Sequence, residues 1–219
     1  MNNVIKENRK NNELIREDIK KLHIDILNQI QNLNNNNYIN KIKIFNDGKY
    51  IGETKNDIRE GKGIMYYING DRYEGDWKND KDNGKGIYNW NDNERYEGDF
   101  KDGKYEGKVM YYYKNGDKYE GDFKNDNREG KGIYYFNIEP WKGDIYEGDY
   151  KNDIREGKGL YYYKNGDRYE GDYKKGKREG KGIMYYHNGD REIGDYLNGK
   201  PIGKHVRLCA NRNITTNNY

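Results

Sequence analysis

The chain begins with an apolar pattern of helical period. Between residues 4 and 33, aliphatic side chains recur every three or four positions, as they do along one face of a helix. They are Ile15, Ile19, Leu22, Ile26, Ile30 and Leu33. The pattern predicts one amphipathic α-helix, and an asparagine-rich linker completes residues 1–40. The polar face mixes both charge signs, unlike a membrane-surface helix, so we expect this stripe to be an oligomerisation surface or to dock on the rest of the chain.

Residues 41–203 form an internal repeat. A tyrosine opens each of six units, and the tyrosines are 23 residues apart except for one interval of 27. They are Tyr50, Tyr73, Tyr96, Tyr119, Tyr146 and Tyr169. A degraded seventh unit begins at Glu192, and a basic tail occupies residues 204–219.

Each unit predicts one β-hairpin. In residues 146–168, an alternating run (YEGDY) and an aromatic run (GKGLYYY) flank a polar loop, and Asn165-Gly166 is typical of a tight two-residue turn. About fourteen strands spaced by ~4.8 Å give an array roughly 65 Å long.

Residue parity predicts which side chains share a face of the sheet. On this basis Leu160 and Tyr162 lie on the same face as Tyr146, and Tyr161 lies on the opposite face.

Two sets of positions repeat in register and are candidate binding surfaces. The first is aromatic and predicts a surface for a protein partner: Tyr73, Trp77, Tyr96, Phe100, Tyr119, Phe123, Tyr146, Tyr150, Tyr169 and Tyr173. The second is a lysine row that could follow lipid headgroups: Lys62, Lys85, Lys108, Lys131, Lys158 and Lys181. An aspartate row in a neighbouring phase would largely cancel its field, so we expect the lysines mainly to solubilise the sheet.

Composition favours a thin fold. Only 32% of residues are hydrophobic and 36% are charged, while tyrosine occurs 25 times. Tyrosine rings supply apolar contact area and keep a polar hydroxyl, which suits a sheet without a thick core. The net charge is +3, and the repeat itself is close to neutral, which argues against nucleic-acid binding.

The expected location is cytoplasmic, at most peripheral to a membrane or the cytoskeleton. The single cysteine, Cys209, excludes an internal disulfide framework. No signal peptide and no run of membrane-spanning length are apparent, so we expect a protein that is neither secreted nor transmembrane.

The chemistry-bearing residues do not predict an enzyme. The three histidines (His23, His187 and His205) lack metal-ligand spacing, and the carboxylates recur in every unit instead of forming one unusual pair. We therefore expect no catalytic residue, metal, cofactor or small-molecule substrate.

The units resemble MORN repeats. Tyr73-Glu74-Gly75-Asp76-Trp77 with Gly84-Lys85-Gly86 follows the family pattern of tyrosine, glycine, aromatic residue and paired glycines. Val109 replaces the second paired glycine of the third unit, and Thr54 replaces the aromatic residue of the first. The resemblance implies an all-β, elongated, twisted single-layer sheet of stacked antiparallel hairpins, preceded here by the N-terminal helix.

The resemblance also implies a scaffold in cytoskeletal, ciliary or membrane-associated assemblies. We therefore expect a non-catalytic protein-interaction scaffold that binds protein partners, with a homodimer as one form of association. The alternatives are a peripheral module that binds phosphoinositides, as an anionic phospholipid partner, and a regulatory subunit of an enzyme complex.

Overall fold

A computed structural model describes residues 41–219 as one open antiparallel sheet. Its sixteen strands follow one another in chain order, so each strand pairs with its neighbours in sequence. The strands are β1 (Lys41–Phe45), β2 (Gly48–Lys55), β3 (Ile58–Tyr67), β4 (Arg72–Lys78), β5 (Lys81–Asn89), β6 (Arg95–Lys101), β7 (Lys104–Tyr112), β8 (Lys118–Lys124), β9 (Asn127–Tyr135), β10 (Ile145–Lys151), β11 (Ile154–Tyr162), β12 (Arg168–Lys174), β13 (Lys177–Tyr185), β14 (Arg191–Leu197), β15 (Lys200–Leu208) and β16 (Ile214–Asn218). The predicted helix, with its six aliphatic side chains, lies outside the described residues.

The tight turn lies within each unit, not between units. Asn152 and Asp153 join β10 to β11 with φ angles of 47° and 65°, so both adopt the left-handed backbone of a two-residue hairpin turn. The predicted two-residue turn at Asn165-Gly166 is wrong. There the Tyr163 amide donates to the Asp167 carbonyl at 3.0 Å, which closes a three-residue loop.

The parity assignment of the faces is also wrong. Tyr146 pairs with Tyr161, and Glu147 pairs with Leu160. Because the two-residue turn is Asn152-Asp153, inside the unit, it pairs even-numbered residues of β10 with odd-numbered residues of β11. Partners on the same face within a unit therefore have opposite parity. We call the side of Tyr146 and Tyr161 the ring face, and the side of Glu147 and Leu160 the groove face.

Each opening tyrosine lies across glycines on the ring face. A Cβ atom added to Gly75 would lie 2.5 Å from the Tyr73 hydroxyl oxygen, and one added to Gly86 would lie 2.6 Å from the ring. The Tyr73 hydroxyl donates to the Asp76 carbonyl at 2.8 Å. In this unit the close approach of the ring to the backbone therefore requires glycine at both Gly75 and Gly86, whereas in the third unit Val109 occupies the second of these positions.

Buried carboxylates connect one unit to the next. Asp71 is only 7% exposed and accepts hydrogen bonds from the Tyr88 hydroxyl at 3.0 Å and the Asn91 amide at 2.9 Å. Asp144 accepts in the same way from Tyr161 and Lys164, both at 2.8 Å. These bonds fix the spacing of successive units within the single sheet that residues 41–219 form.

The sheet extends further than the repeat pattern indicates. The predicted basic tail of residues 204–219 contains the end of β15 and all of β16. β16 pairs with β15 from Leu208↔Ile214 to Lys204↔Asn218, so the sheet has sixteen strands where about fourteen were expected.

Candidate functional site

The groove face carries a continuous depression of about 1680 Å³. Aliphatic and glutamate side chains alternate along its floor from strand to strand. Ile87, for example, lies between Glu74 and Glu97, and the same order repeats in later units. The aliphatic members are only partly buried: Ile87, Met110, Ile133, Leu160 and Ile183. The depression is therefore an apolar strip divided at regular intervals by carboxylates.

The predicted lysine row lies on the groove face, where every member except Lys62 lines the depression, and most members form ion pairs. Lys85 lies 2.6 Å from Asp99, and Lys131 lies 2.6 Å from Asp149 of the following unit. Comparable pairs are Lys62 with Asp76, Lys108 with Asp122, and Lys158 with Asp172. These lysine side chains are 70 to 77% exposed, so each pair contributes little stability but neutralises the local charge. Lys181 also lines the groove.

The ten aromatic residues predicted as a partner surface lie in the core instead. Their exposed fractions range from 0 to 6%, so their side chains are unavailable to a partner in the described fold. They are Tyr73, Trp77, Tyr96, Phe100, Tyr119, Phe123, Tyr146, Tyr150, Tyr169 and Tyr173. The reason is packing between units: Tyr73 contacts both Trp77 and Phe100 edge-on, with ring centroids 5.0 Å apart in each case.

The ring face also carries a row of arginines, which was not predicted from the sequence. Each guanidinium lies over rings of its own or adjacent units, as Arg59 does 4.6 Å from the centre of the Trp77 ring. Its amide and Nε donate to Asp80 of the following turn at 2.8 and 3.1 Å. Arg128 makes the same two bonds to Asp153, at 2.9 and 3.1 Å. The signal available in the sequence was the repeated Arg-Glu-Gly that follows the polar loop.

The structure brings no metal ligands together in the part of the chain that it describes. No group of three or more histidine, cysteine, aspartate or glutamate side chains is arranged to hold an ion among residues 41–219. In the same range we find no helix with the length and apolarity needed to cross a membrane.

A single-layer sheet with one groove along a face is the class of architecture that stacked hairpin repeats produce. The MORN repeat family model matches residues 50–72, 73–95, 96–118, 119–138, 146–168 and 169–191. These matches cover more than half of the chain, and the chain therefore belongs to the MORN repeat family.

Comparisons with solved structures give distant likenesses. The TCP domain of Drosophila melanogaster SAS-4 (dCPAP), solved with a proline-rich motif of Ana2, has a TM-score of 0.49 and 15% identity, covering 73% of this chain and 84% of that chain. The TCP10 domain of Danio rerio CPAP, solved with a peptide of STIL, has a TM-score of 0.32 and 12% identity, covering 80% of this chain and 82% of that chain. At these TM-scores, neither likeness bears on function. Comparison with curated proteins gives no match.

Proposed function

We propose that this protein is a non-catalytic interaction scaffold that binds an amphipathic helix of a partner protein in its groove. The supporting observation is the 1680 Å³ depression, whose partly exposed aliphatic strip has no covering layer among the described residues. Apolar surface of this kind is stabilised when a partner removes it from water.

The spacing of the strip favours a helix as the occupant. One aliphatic side chain occurs per unit, and a unit contains two strands, so the apolar positions repeat about every 9.5 Å. Seven residues of an α-helix span roughly 10.5 Å, so a helix with an apolar side chain at every seventh position nearly matches this repeat. The groove glutamates then favour basic residues beside the apolar stripe of the partner.

The expected setting is the cytoskeletal, ciliary or membrane-associated assembly implied by membership of the family. The pairing of lysines with aspartates makes a lipid surface a less suitable partner than a protein, because the lysine charge is already neutralised. Vesicles containing phosphoinositides should therefore retain the protein weakly, and the retention should be lost between about 50 and 200 mM salt. Tight retention at high salt that a Lys131→Glu/Lys158→Glu pair abolishes would favour the lipid alternative instead.

The groove proposal is tested by comparing variants of the full chain. Proximity labelling in cells with the wild type should identify a set of neighbours, and the Met110→Gln/Leu160→Gln variant should lose the direct partner from that set. Glutamine is suitable because a glutamate at Met110 would lie between Glu97 and Glu120. Calorimetric titration of the purified partner segment should then show at least roughly tenfold weaker binding to the variant.

A matched control replaces two aliphatic side chains outside the groove with glutamine. Ile68 and Ile214 are 82% and 70% exposed and do not line the groove, so Ile68→Gln/Ile214→Gln should keep the partner. Equal binding by the groove variant and the wild type would exclude the groove as the binding site.

A further inference from the structure

Two positions of the arginine row on the ring face hold a glycine where Asp80 and Asp153 stand in other units, and only at Arg155 does the guanidinium have no polar partner among the described residues. In the preceding unit, the Asp153 carboxylate accepts the amide and Nε of Arg128. One unit further on, Arg155 occupies the position of Arg128, and Gly176 occupies the position of Asp153. The backbone contact is retained, since the Gly176 amide donates to the Arg155 carbonyl at 3.0 Å. The carboxylate is missing, and the guanidinium bond to the turn carbonyl, which Arg128 makes to Asp153 at 3.0 Å, also has no counterpart at Arg155.

The Arg155 guanidinium has no hydrogen bond or ion pair with any other described residue. It lies over two rings, 5.1 Å from the centre of Tyr146 and 5.8 Å from that of Tyr173. Arg178 also faces a glycine, Gly199, but it is differently placed. Its guanidinium donates to the Gly199 carbonyl at 2.9 Å and to the Tyr163 hydroxyl at 3.2 Å.

Open space adjoins the unpaired guanidinium. A depression of about 290 Å³ is lined by Arg155 and Gly176, together with Arg128, Phe136 and Tyr150 among others. A Cβ atom added to Gly176 would have no neighbour nearer than Ile154, at 4.0 Å. The volume that an aspartate side chain would occupy is therefore free.

We propose that this depression is a binding site for a carboxylate side chain of an acidic segment in a partner protein. The incoming carboxylate takes the place that Asp153 holds on Arg128 and accepts from the amide and Nε of Arg155, a charge-assisted arrangement. Phe136 and Tyr150 provide an apolar wall for the side chain next to the acid. The site is on the ring face, so its occupation does not depend on the groove.

A carboxylate suits this site better than a phosphate group for two reasons. The geometry copies an arrangement already filled by a carboxylate in two other units, at Asp80 and Asp153. The second guanidinium nearby, that of Arg128, is already paired with Asp153, so a doubly charged anion would be neutralised only in part.

The test uses acetate as a carboxylate probe and inorganic phosphate as its competitor, at constant ionic strength. Nuclear magnetic resonance of the full chain should show saturable shifts of the Arg155 amide and Nε signals with acetate and weaker shifts with phosphate. Gly176→Asp supplies a tethered carboxylate of high effective concentration, and should weaken the acetate response at least roughly tenfold. The equivalent aspartates Asp80 and Asp153 have φ angles of 63° and 65°, close to the 79° of Gly176, so the variant is compatible with the backbone.

Gly199→Asp is the matched control, because it adds the same side chain one unit further on and should leave the Arg155 signals responsive to acetate. Arg155→Gln should abolish the acetate response at the residue 155 amide, with the melting temperature reporting that the sheet is intact. Absence of saturation in the wild type, or an equal acetate response in Gly176→Asp, would overturn the site. A phosphate response stronger than the acetate response would overturn the carboxylate assignment.

Discussion

At the scale of single residues, the fold depends on placing a large tyrosine ring against glycines. Tyr73 is fully buried although the sheet has one layer, because Gly75 and Gly86 let its ring lie against the backbone. Trp77 and Phe100 then cover its edges. Burial of each ring therefore involves residues of two adjacent units.

Trp77→Ala should lower the free energy of unfolding by roughly 3–5 kcal/mol, because it deletes a packed ring. Trp77 is 4% exposed, and its indole nitrogen donates to the Gly63 carbonyl at 3.2 Å. The neighbouring Lys78 is exposed, so Lys78→Ala should change the free energy by less than about 0.5 kcal/mol. Urea unfolding measures both effects as shifts in the midpoint concentration, provided that the free energy of unfolding has the same dependence on urea concentration in each variant. Equal destabilisation would contradict the assigned packing.

Asp82 should make stability depend on pH. It pairs with Trp77 on the ring face, where the equivalent position of four other units holds an arginine. Burial raises the pKa of its carboxyl from 3.8 to about 6. As pH rises from about 4 to 6, the unfolded chain loses this proton more readily than the folded chain, so stability falls across that window. Asp82→Asn should therefore raise the free energy of unfolding at pH 7 by roughly 1–3 kcal/mol, and the gain should vanish below pH 4.

Denaturant melts at several pH values test the effect of Asp82. Asp102→Asn, in an exposed turn, is the control and should leave the profile unchanged. A pH-independent effect of Asp82→Asn would show that the carboxyl does not titrate in this window.

At the scale of the hairpin, the seventh unit has a glutamate and a histidine where the other units have a tyrosine and a glycine. Glu192 stands where the tyrosine would be, and His205 occupies the position of the second paired glycine. The His205 ring is fully buried, and its Nε2 lies 2.9 Å from the Asp195 carbonyl, the position that a tyrosine hydroxyl reaches in other units. The histidine therefore fills from the opposite strand the space that a tyrosine ring fills elsewhere.

This exchange predicts strong coupling between the two residues. Glu192→Tyr alone should overfill the site against His205, and His205→Gly alone should leave a cavity, each at a cost of about 2–4 kcal/mol. The double variant should cost at least about 2 kcal/mol less than the sum of the single variants. A double-mutant cycle on urea midpoints measures this. Additive effects would show that the two side chains do not share one site. The Tyr186 and Tyr219 hydroxyls donate to Glu192 at 2.8 and 2.9 Å. They lose this acceptor both in Glu192→Tyr and in the double variant, so this loss cancels in the cycle.

At the scale of the whole molecule, sixteen strands in chain order give a sheet about 70 Å long with two unlike faces. The ring face holds the core, whereas the groove face carries an apolar strip that is only partly buried. Stability is then approximately a sum of units and of the interfaces between neighbouring units.

The N-terminal segment should make the full chain associate. The stripe from Ile15 to Leu33 contains six aliphatic side chains at roughly 1.5–3 kcal/mol each, which is enough for a micromolar dimer after association costs. Light scattering should show a dimer for the full chain and a monomer for a chain beginning at Tyr38. Ile19→Asp/Ile26→Asp should reproduce the shortened chain without unfolding the repeats. Dimers in both cases would place the contact in the sheet, and monomers in both would indicate that the stripe packs on its own sheet.

The sequence by itself determined the family, the repeat and the antiparallel hairpins, because a fixed period and turn-forming residues are local signals. It also placed lysines and aspartates in neighbouring rows, and Lys85 with Asp99 confirms this. Tertiary structure decided which face each side chain occupies, since the register depends on the turn at Asn152-Asp153. It also showed that the opening tyrosines form the core and that Gly176 leaves Arg155 unpaired, because both facts arise where one unit packs on the next.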